Sequence, residues 1–239
     1  MQLFFNSSIS ENDKEITFDK NESRHIIKVL RKKEGDTLHI TNGNNFLFTV
    51  KIRVASDKKC IASIAEVFQK KSSRNYTLHI AIAPTKNNDR FEWFLEKATE
   101  IGIDEITPII CANSERKSIK KERMEKIIQA AMKQSLQYKL PHLNDTVRCL
   151  DFINSKKDGE LFIAHCEKST EKPTIQKCST PGNSYTILIG PEGDFSPAEI
   201  QSAIKMNYQP ISLGENRLRT ETAGITAASH IAFVNEKDY

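Results

Sequence analysis

At 239 residues the chain is long enough for one large domain or two modest ones, each with a real core. It holds no run of about 18 apolar residues, its start Met1–Asn6 has neither the basic residues nor the apolar stretch of a secretory signal, and Cys60, Cys111, Cys149, Cys166 and Cys178 form no Cys-x-x-Cys pair. These features exclude a membrane span, argue against a disulfide frame or a structural metal, and predict a cytoplasmic protein with reduced thiols. The net charge of +4 is uneven: residues 1–75 hold 14 Lys+Arg against 9 Asp+Glu, and 76–239 hold 21 against 22. The positive excess therefore lies in the first third, the sign expected of a part that touches phosphate, although a solvated surface explains it equally well.

Residues 1–70 read as short strands. Glu15–Asp19 and Thr37–Thr41 alternate in polarity, and Asn42-Gly43 offers a hairpin turn. Phe46–Val54 follows, with Phe46, Phe48, Val50, Ile52 and Val54 on one face, and Cys60–Phe68 is a further strand. This spacing predicts a small barrel or sandwich. Between the strands, Asn21–Lys33 carries a helical apolar pattern. A helix there places Arg24, Lys28 and Arg31 on one face, suited to a phosphate backbone. No second ligand stands at metal spacing from His25, so it reads as a capping or packing residue. Residues 69–75 are polar and aperiodic, and the domain boundary is placed there: 1–70 against 76–239.

From residue 76 strands and helices alternate: Tyr76–Ala83 strand, Asp89–Ile101 helix stopped by Gly102, Ile103–Cys111 strand interrupted by Pro108, Ile119–Leu136 helix, and Leu161–Cys166 strand. Residues 168–183 form a polar connection. Repeated βα units predict a parallel sheet covered by helices. The last helix, about Glu221–Val234, is rich in small residues that let another helix approach closely.

The stretch 185–230 organises this part. Tyr185–Ile189 reads as a strand buried on both faces. It ends in Gly190-Pro191-Glu192-Gly193, a turn that brings bare backbone N–H groups to whatever occupies it. Ser196 reads as an N-cap, Pro197 as the first helical residue and Glu199 as the capping-box partner. A second apolar run, Ile211–Leu213, ends in Gly214 and a polar loop before the last helix. Two carboxyl strand ends so close in sequence mark the default ligand site of an α/β sheet. The turn is neither a P-loop nor Gly-x-Gly-x-x-Gly, and Gly-x-Ser-x-Gly is absent. An ordinary strand-to-helix turn remains the plain alternative. In Leu218–Thr222, Glu221 sits in a first helical turn, Thr220 or Thr222 can cap the helix, and Arg219 can be an ion-pair partner or hold a substrate group.

The ordered set Arg24-His25, Val29-Leu30-Arg31, Lys86, Arg90, Lys97–Gly102, Gln134-Ser135, Leu140-Pro141, Ile189–Gly193 and Leu213-Gly214 with Leu218–Ala223 resembles the RsmE-type 16S ribosomal RNA uridine-N3 methyltransferases over almost the whole chain. Two positions depart from the pattern. Asp194 stands where members often have a second glycine, and Leu136 stands where an arginine often follows Gln-Ser. The resemblance implies a PUA-like N-terminal barrel, a SPOUT-class domain with a C-terminal trefoil knot, and a homodimer. It implies S-adenosyl-L-methionine as methyl donor and no metal. Leu188, Gly190, Pro191, Glu192, Gly193, Leu213, Gly214, Leu218 and Thr220 then belong to the cofactor loops, and Lys86 and Arg90 join Arg24, Lys28 and Arg31 as RNA contacts. The implied activity is methylation of a uridine N3 in the RNA of the small ribosomal subunit. Uridine N3 must lose a proton, so a base or an anion-stabilising group is required, and Arg219 and Glu221 are the candidates. The alternatives are a non-catalytic RNA-binding or ribosome-assembly protein with the same fold, and an unrelated nucleotide hydrolase. The second is disfavoured by the missing Walker lysine and the lack of clustered carboxylates.

Overall fold

The computed structural model describes residues 1–70, 74–167 and 172–236. Part of the predicted boundary, 71–73, and part of the polar connection, 168–171, lie outside the described residues. The chain forms two compact units, one of residues 1–72 with Met132–Leu140, the other of residues 73–131 with 141–239.

The first unit is an open, curled five-stranded sheet in the order β1-β3-β4-β5-β2. Its strands are β1 (Leu3–Phe5), β2 (Glu15–Thr17), β3 (Thr37–Thr41), β4 (Phe46–Val54) and β5 (Ile61–Gln69). The expected barrel is thus a half-barrel. β3 and β4 pair antiparallel across the predicted Asn42-Gly43 turn, where Gly43 (φ 78°) and Asn45 (φ 66°) are left-handed. Alternation along β4 buries Phe48, Val50 and Ile52 with Phe18, Ile26, Ile40 and Ala62. A register shift after Ile52 turns Val54 out of that face, and it is exposed.

The basic segment differs from its sequence reading. Asp19 caps a short helix, α1 (Lys20–Arg24), by accepting from the Glu22 amide. His25–Val29 then widens into a π-helical turn, with Leu30 N–H donating to the His25 carbonyl at 2.9 Å. Arg31 follows with φ 54°. The extra residue in the turn and the left-handed exit take Arg24, Lys28 and Arg31 off a common α-helical stripe. All three are exposed, and Lys28 Nζ lies 3.7 Å from Asp57.

The second unit is an all-parallel sheet in the order β12-β10-β11-β6-β7-β8, with β9 also pairing β7. Its strands are β6 (Thr77–Ile82), β7 (Glu105–Ile110), β8 (His142–Leu143), β9 (Val147–Arg148), β10 (Glu160–Ala164), β11 (Ser184–Ile189) and β12 (Gln209–Ile211). Pro108 sits inside β7 at the gap between β8, which pairs residues 105–106, and β9, which pairs 109–110. A residue without an N–H costs least there. The helices are α2 (Asn88–Ile101), α3 (Lys121–Gln134), α4 (Cys149–Asn154), α5 (Ile175–Cys178), α6 (Pro197–Lys205) and α7 (Thr220–Val234). Among the described residues no helix is long and apolar enough to cross a membrane. α2 opens on an Asn87 cap and closes on Gly102 at φ 113°. The small residues of α7 do allow close packing. A Cβ built on Gly224 would stand 2.6 Å from Phe94 of α2 and 3.0 Å from Ile82 of β6.

Candidate functional site: the carboxyl ends of β10, β11 and β12

Three parallel neighbours, β10, β11 and β12, end at one edge, and the chain leaving each end builds the walls of a cavity of about 830 Å³. β10 contributes Ala164, His165 and Cys166, and the loop after β12 contributes Leu213, Gly214, Arg217 and Leu218. A smaller adjoining space of about 280 Å³ is lined by Gly190, Pro191 and Glu192 together with Leu218, Arg219 and Thr220. The two share Asp194, Arg217 and Leu218. A volume of this size at the carboxyl ends of parallel strands suits a ligand of nucleotide size.

The turn after β11 is held from several sides. Ser196 caps α6 with its capping box complete, and Glu199 Oε1 also accepts from the Ala112 amide at 2.9 Å. Asn113 Nδ2 donates to the Gly193 and Asp194 carbonyls, both at 3.1 Å. Glu192 accepts the Lys86 amide at 3.2 Å on Oε1, and its carbonyl accepts Arg217 Nη2 at 3.2 Å. Asp194 has φ 62°. Its Oδ2 accepts the Cys166 amide at 2.8 Å, tying the end of β10 to the end of β11, and Oδ1 accepts the Phe195 amide at 2.8 Å. Aspartate is among the few non-glycine residues that tolerate this backbone region, and the two hydrogen bonds offset its cost.

The expected residues divide in the structure. Gly190, Pro191, Glu192, Leu213, Gly214, Leu218 and Thr220 line the two spaces. Leu188 does not: it is fully buried in the core with Ala81 and Ile163, and Ile189 beside it is the wall residue. Gly193 faces Asn113, whose Cβ would lie 3.0 Å from a Cβ added there. Thr220 is the first residue of α7 but does not cap it. Its hydroxyl donates to the Gly190 carbonyl at 3.0 Å, joining the two loops, and α7 starts from Arg219 with no side-chain cap. Arg219 is exposed between the smaller space and a third one, of about 670 Å³, lined by Arg90, Trp93, Glu221 and Thr222. Glu221, in that third space, is 6% exposed. Its cationic partner is Arg90, Nε 3.8 Å from Oε1, and among the described residues Arg219 has no ion-pair partner. Lys86 pairs with Glu115 at 2.8 Å. Arg24, Lys28 and Arg31 belong to the first unit.

His165 is a candidate site residue the sequence did not flag. It is 8% exposed and lines the large cavity, and both ring nitrogens are buried without a partner among the described residues. Burial, with Lys172 adding, pushes its pKa below the usual histidine range, so the ring is neutral at pH 7. A buried polar group without a partner is costly unless a ligand supplies one. A lone His just past the end of a strand has no sequence signature for this. Asn113 and Arg116 were also missed. Arg116 donates to the Thr85 carbonyl at 3.0 Å and the Lys86 carbonyl at 2.6 Å, fixing the loop into α2. Among the described residues, Cys111, Cys149 and Glu199 alone bring three possible metal-ligand atoms within 4.8 Å. Both Glu199 oxygens already accept hydrogen bonds, from Ala112 and from Ser196. A hydrogen bond with Cys111, and then burial, hold the Cys149 thiol far above its ordinary range.

Comparison with known proteins accords with this geometry. Residues 72–232 match the RNA methyltransferase domain family and residues 18–65 match the RNA methyltransferase PUA domain. The ribosomal RNA small subunit methyltransferase E of Rickettsia conorii is 31% identical over 234 residues, covering 96% of this chain and 94% of that protein. A "probable rRNA-methyltransferase" of Porphyromonas gingivalis superposes with a TM-score of 0.91 at 38% identity, over 98% of both chains. A Legionella pneumophila protein solved in complex with the bound cofactor SAM superposes at 0.86, with 28% identity, over 98% of this chain and 97% of that one.

Proposed function

Given that the chain belongs to the RsmE family of S-adenosylmethionine-dependent 16S ribosomal RNA methyltransferases, with a PUA-like first unit and a SPOUT-type second, we propose that it methylates N3 of a uridine in the RNA of the small ribosomal subunit. One observation carries this reading. The ends of β10, β11 and β12 enclose a cavity holding a buried histidine that has no partner among the described residues, and the chain that closes it continues into Arg219 and the buried Glu221.

The residues present fit S-adenosylmethionine. Gly190–Glu192 and Leu213–Gly214 offer backbone groups at the cavity walls, and His165 has two ring nitrogens to satisfy. The Legionella relative supports the same cofactor here. When bound, the cofactor supplies a methyl group on a sulfonium, which needs alignment more than it needs further activation. The chain's own residues then deal with the uridine. Glu221 accepts the N3 proton, and Arg219, without an ion-pair partner among the described residues, stabilises the anion left on the uracil ring. In the first unit, exposed Arg24, Lys28 and Arg31 contact phosphate. We also propose the family's trefoil knot for the second unit, a homodimer, and a cytoplasmic location. The knot is supported by the path of the chain: it leaves the edge strand β12 and returns through Thr220 to the loop of β11 and, in α7, to α2.

Calorimetry with S-adenosylmethionine and with ATP, followed by transfer of labelled methyl to small-subunit RNA and mass mapping of the product, tests this function. Tight binding of the former ligand and a 3-methyluridine product are expected. ATP binding, or cofactor binding without transfer, would refute it.

A further inference from the structure

Resting on that reading, we infer that the space beside the cofactor cavity is the pocket for the target base, and that Trp93 is the platform on which the base stacks. The space, about 670 Å³, lies between α2 and the start of α7, lined by Asp89, Arg90 and Trp93 on one side and Arg217–Arg219, Glu221 and Thr222 on the other. It shares Arg217, Leu218 and Arg219 with the smaller cofactor space, so a base seated here stands one loop away from the methyl donor.

Three features fit a flipped pyrimidine. First, Trp93 is 44% exposed, although its neighbour Phe94 is fully buried. An indole left open beside cations is the usual way in which proteins hold an unstacked base. Second, Glu221 is nine-tenths buried and its Oε2 has no partner among the described residues. An imide N–H of a base offers the donor this oxygen lacks, and an N3-substituted ring does not. Third, Arg90 lies one helical turn before Trp93, with Nε 3.8 Å from Oε1 of Glu221. Arg90 is thereby assigned to orienting the carboxylate, not to phosphate. Trp93 selects a flat ring, Glu221 selects one that still carries its N3 proton, and the product, once methylated, loses that hydrogen bond and is released.

The chain has a single tryptophan, so its fluorescence reads this pocket alone. Titrating the protein with octauridylate in the presence of S-adenosylhomocysteine should quench the emission with saturation. An octamer of 3-methyluridylate should bind at least tenfold more weakly, and Glu221→Ala should abolish that preference. Trp93→Ala should lower kcat/KM for small-subunit RNA about tenfold or more, the loss expected of one stacked base, with cofactor affinity by calorimetry unchanged. Trp93→Phe should recover most of it. The inference is overturned by an unquenched titration, by a normal rate in Trp93→Ala, or by sedimentation showing that Trp93→Ala halves the particle mass, which would make the ring a contact between copies of the chain. Quenching by octauridylate does not depend on methyl transfer. If the wild-type protein quenches but transfers nothing, the functional reading fails and the base pocket stands.

Discussion

Replacing Gly224 with alanine sets two effects of known sign against each other. Alanine improves the middle of α7 by about 1 kcal/mol of helix propensity. The new Cβ, however, would stand 2.6 and 2.8 Å from two ring carbons of Phe94 and 3.0 Å from Ile82 Cδ1. Phe94 and Ile82 are both fully buried, so neither can swing into solvent. Relief requires α7 to move off α2 and β6, and overpacking of this kind costs roughly 1–3 kcal/mol. Contacts below 3.0 Å against a rigid ring belong at the upper end of that range. The net expectation is destabilisation by about 1–2 kcal/mol, or a fall of about 2–8 °C in the melting temperature of the second unit. Because α7 begins at Thr220 and Glu221, cofactor binding should weaken as well. Thermal unfolding of Gly224→Ala, of Phe94→Leu and of the double variant measures this, since a smaller ring should relieve the clash. An unchanged or raised melting temperature, or simple additivity of the two substitutions, would refute the close-packing argument.

Thr220→Val keeps the shape but removes the hydroxyl that donates to the Gly190 carbonyl at 3.0 Å. It should cost about 1–3 kcal/mol and weaken S-adenosylmethionine binding by calorimetry; unaltered stability and affinity would show that the two loops do not depend on this bond. Arg219→Ala should cut the single-turnover rate by about 10² while leaving cofactor affinity unchanged, and Arg219→Lys should recover only part of it; a normal saturated rate would remove Arg219 from the chemistry. His79 gives a pH prediction. Burial is the largest cause lowering its pKa from 6.5 to about 4, so its 3.6 Å approach to Glu105 is not an ion pair at pH 7. The unfolded chain binds this proton below about 6.5 and the folded chain only below about 4, so His79 adds a stability that falls as pH drops through that window. The loss is at most about 3 kcal/mol. Urea unfolding at pH 7 and pH 5 should show a smaller drop for His79→Gln than for the parent; equal drops would contradict the assignment.

Much of this was legible in the residues because local rules and tertiary structure agree. Thr37–Thr41 and Phe46–Val54 are strands at the bounds their alternation gives, and Ser196-Pro197-Glu199 forms the capping box its spacing announces. The misses share a cause: each was settled by geometry or contacts that residue spacing does not carry. β8 and β9 are too short to carry a period, and exist because β7 offers them an edge. The π-helical turn at His25–Val29 keeps the composition of an α-helix, so the loss of a common face for Arg24, Lys28 and Arg31 leaves no trace in spacing. Thr220 looked like a cap because Ser and Thr at helix starts usually are; the Gly190 carbonyl, thirty residues earlier, claims its hydroxyl. His165 is silent in sequence, since its significance lies in what its ring nitrogens fail to meet.

The strand order of the second unit sets terms for how the chain is made. β6 is the first strand synthesised, yet it lies mid-sheet, and one of its two flanks is reserved for β11. β6 ends at Ile82 and β11 starts at Ser184, so that flank stays unpaired while the intervening segment emerges from the ribosome. The waiting edge is largely apolar, and Leu78 and Ile80 to Ala83 are fully enclosed in the finished fold. Such an edge invites pairing with other chains, and closure over so long a loop is intrinsically slow. Nascent chains should therefore need protection of this segment until β11 arrives, and truncations ending before Ser184 should aggregate where the full chain does not.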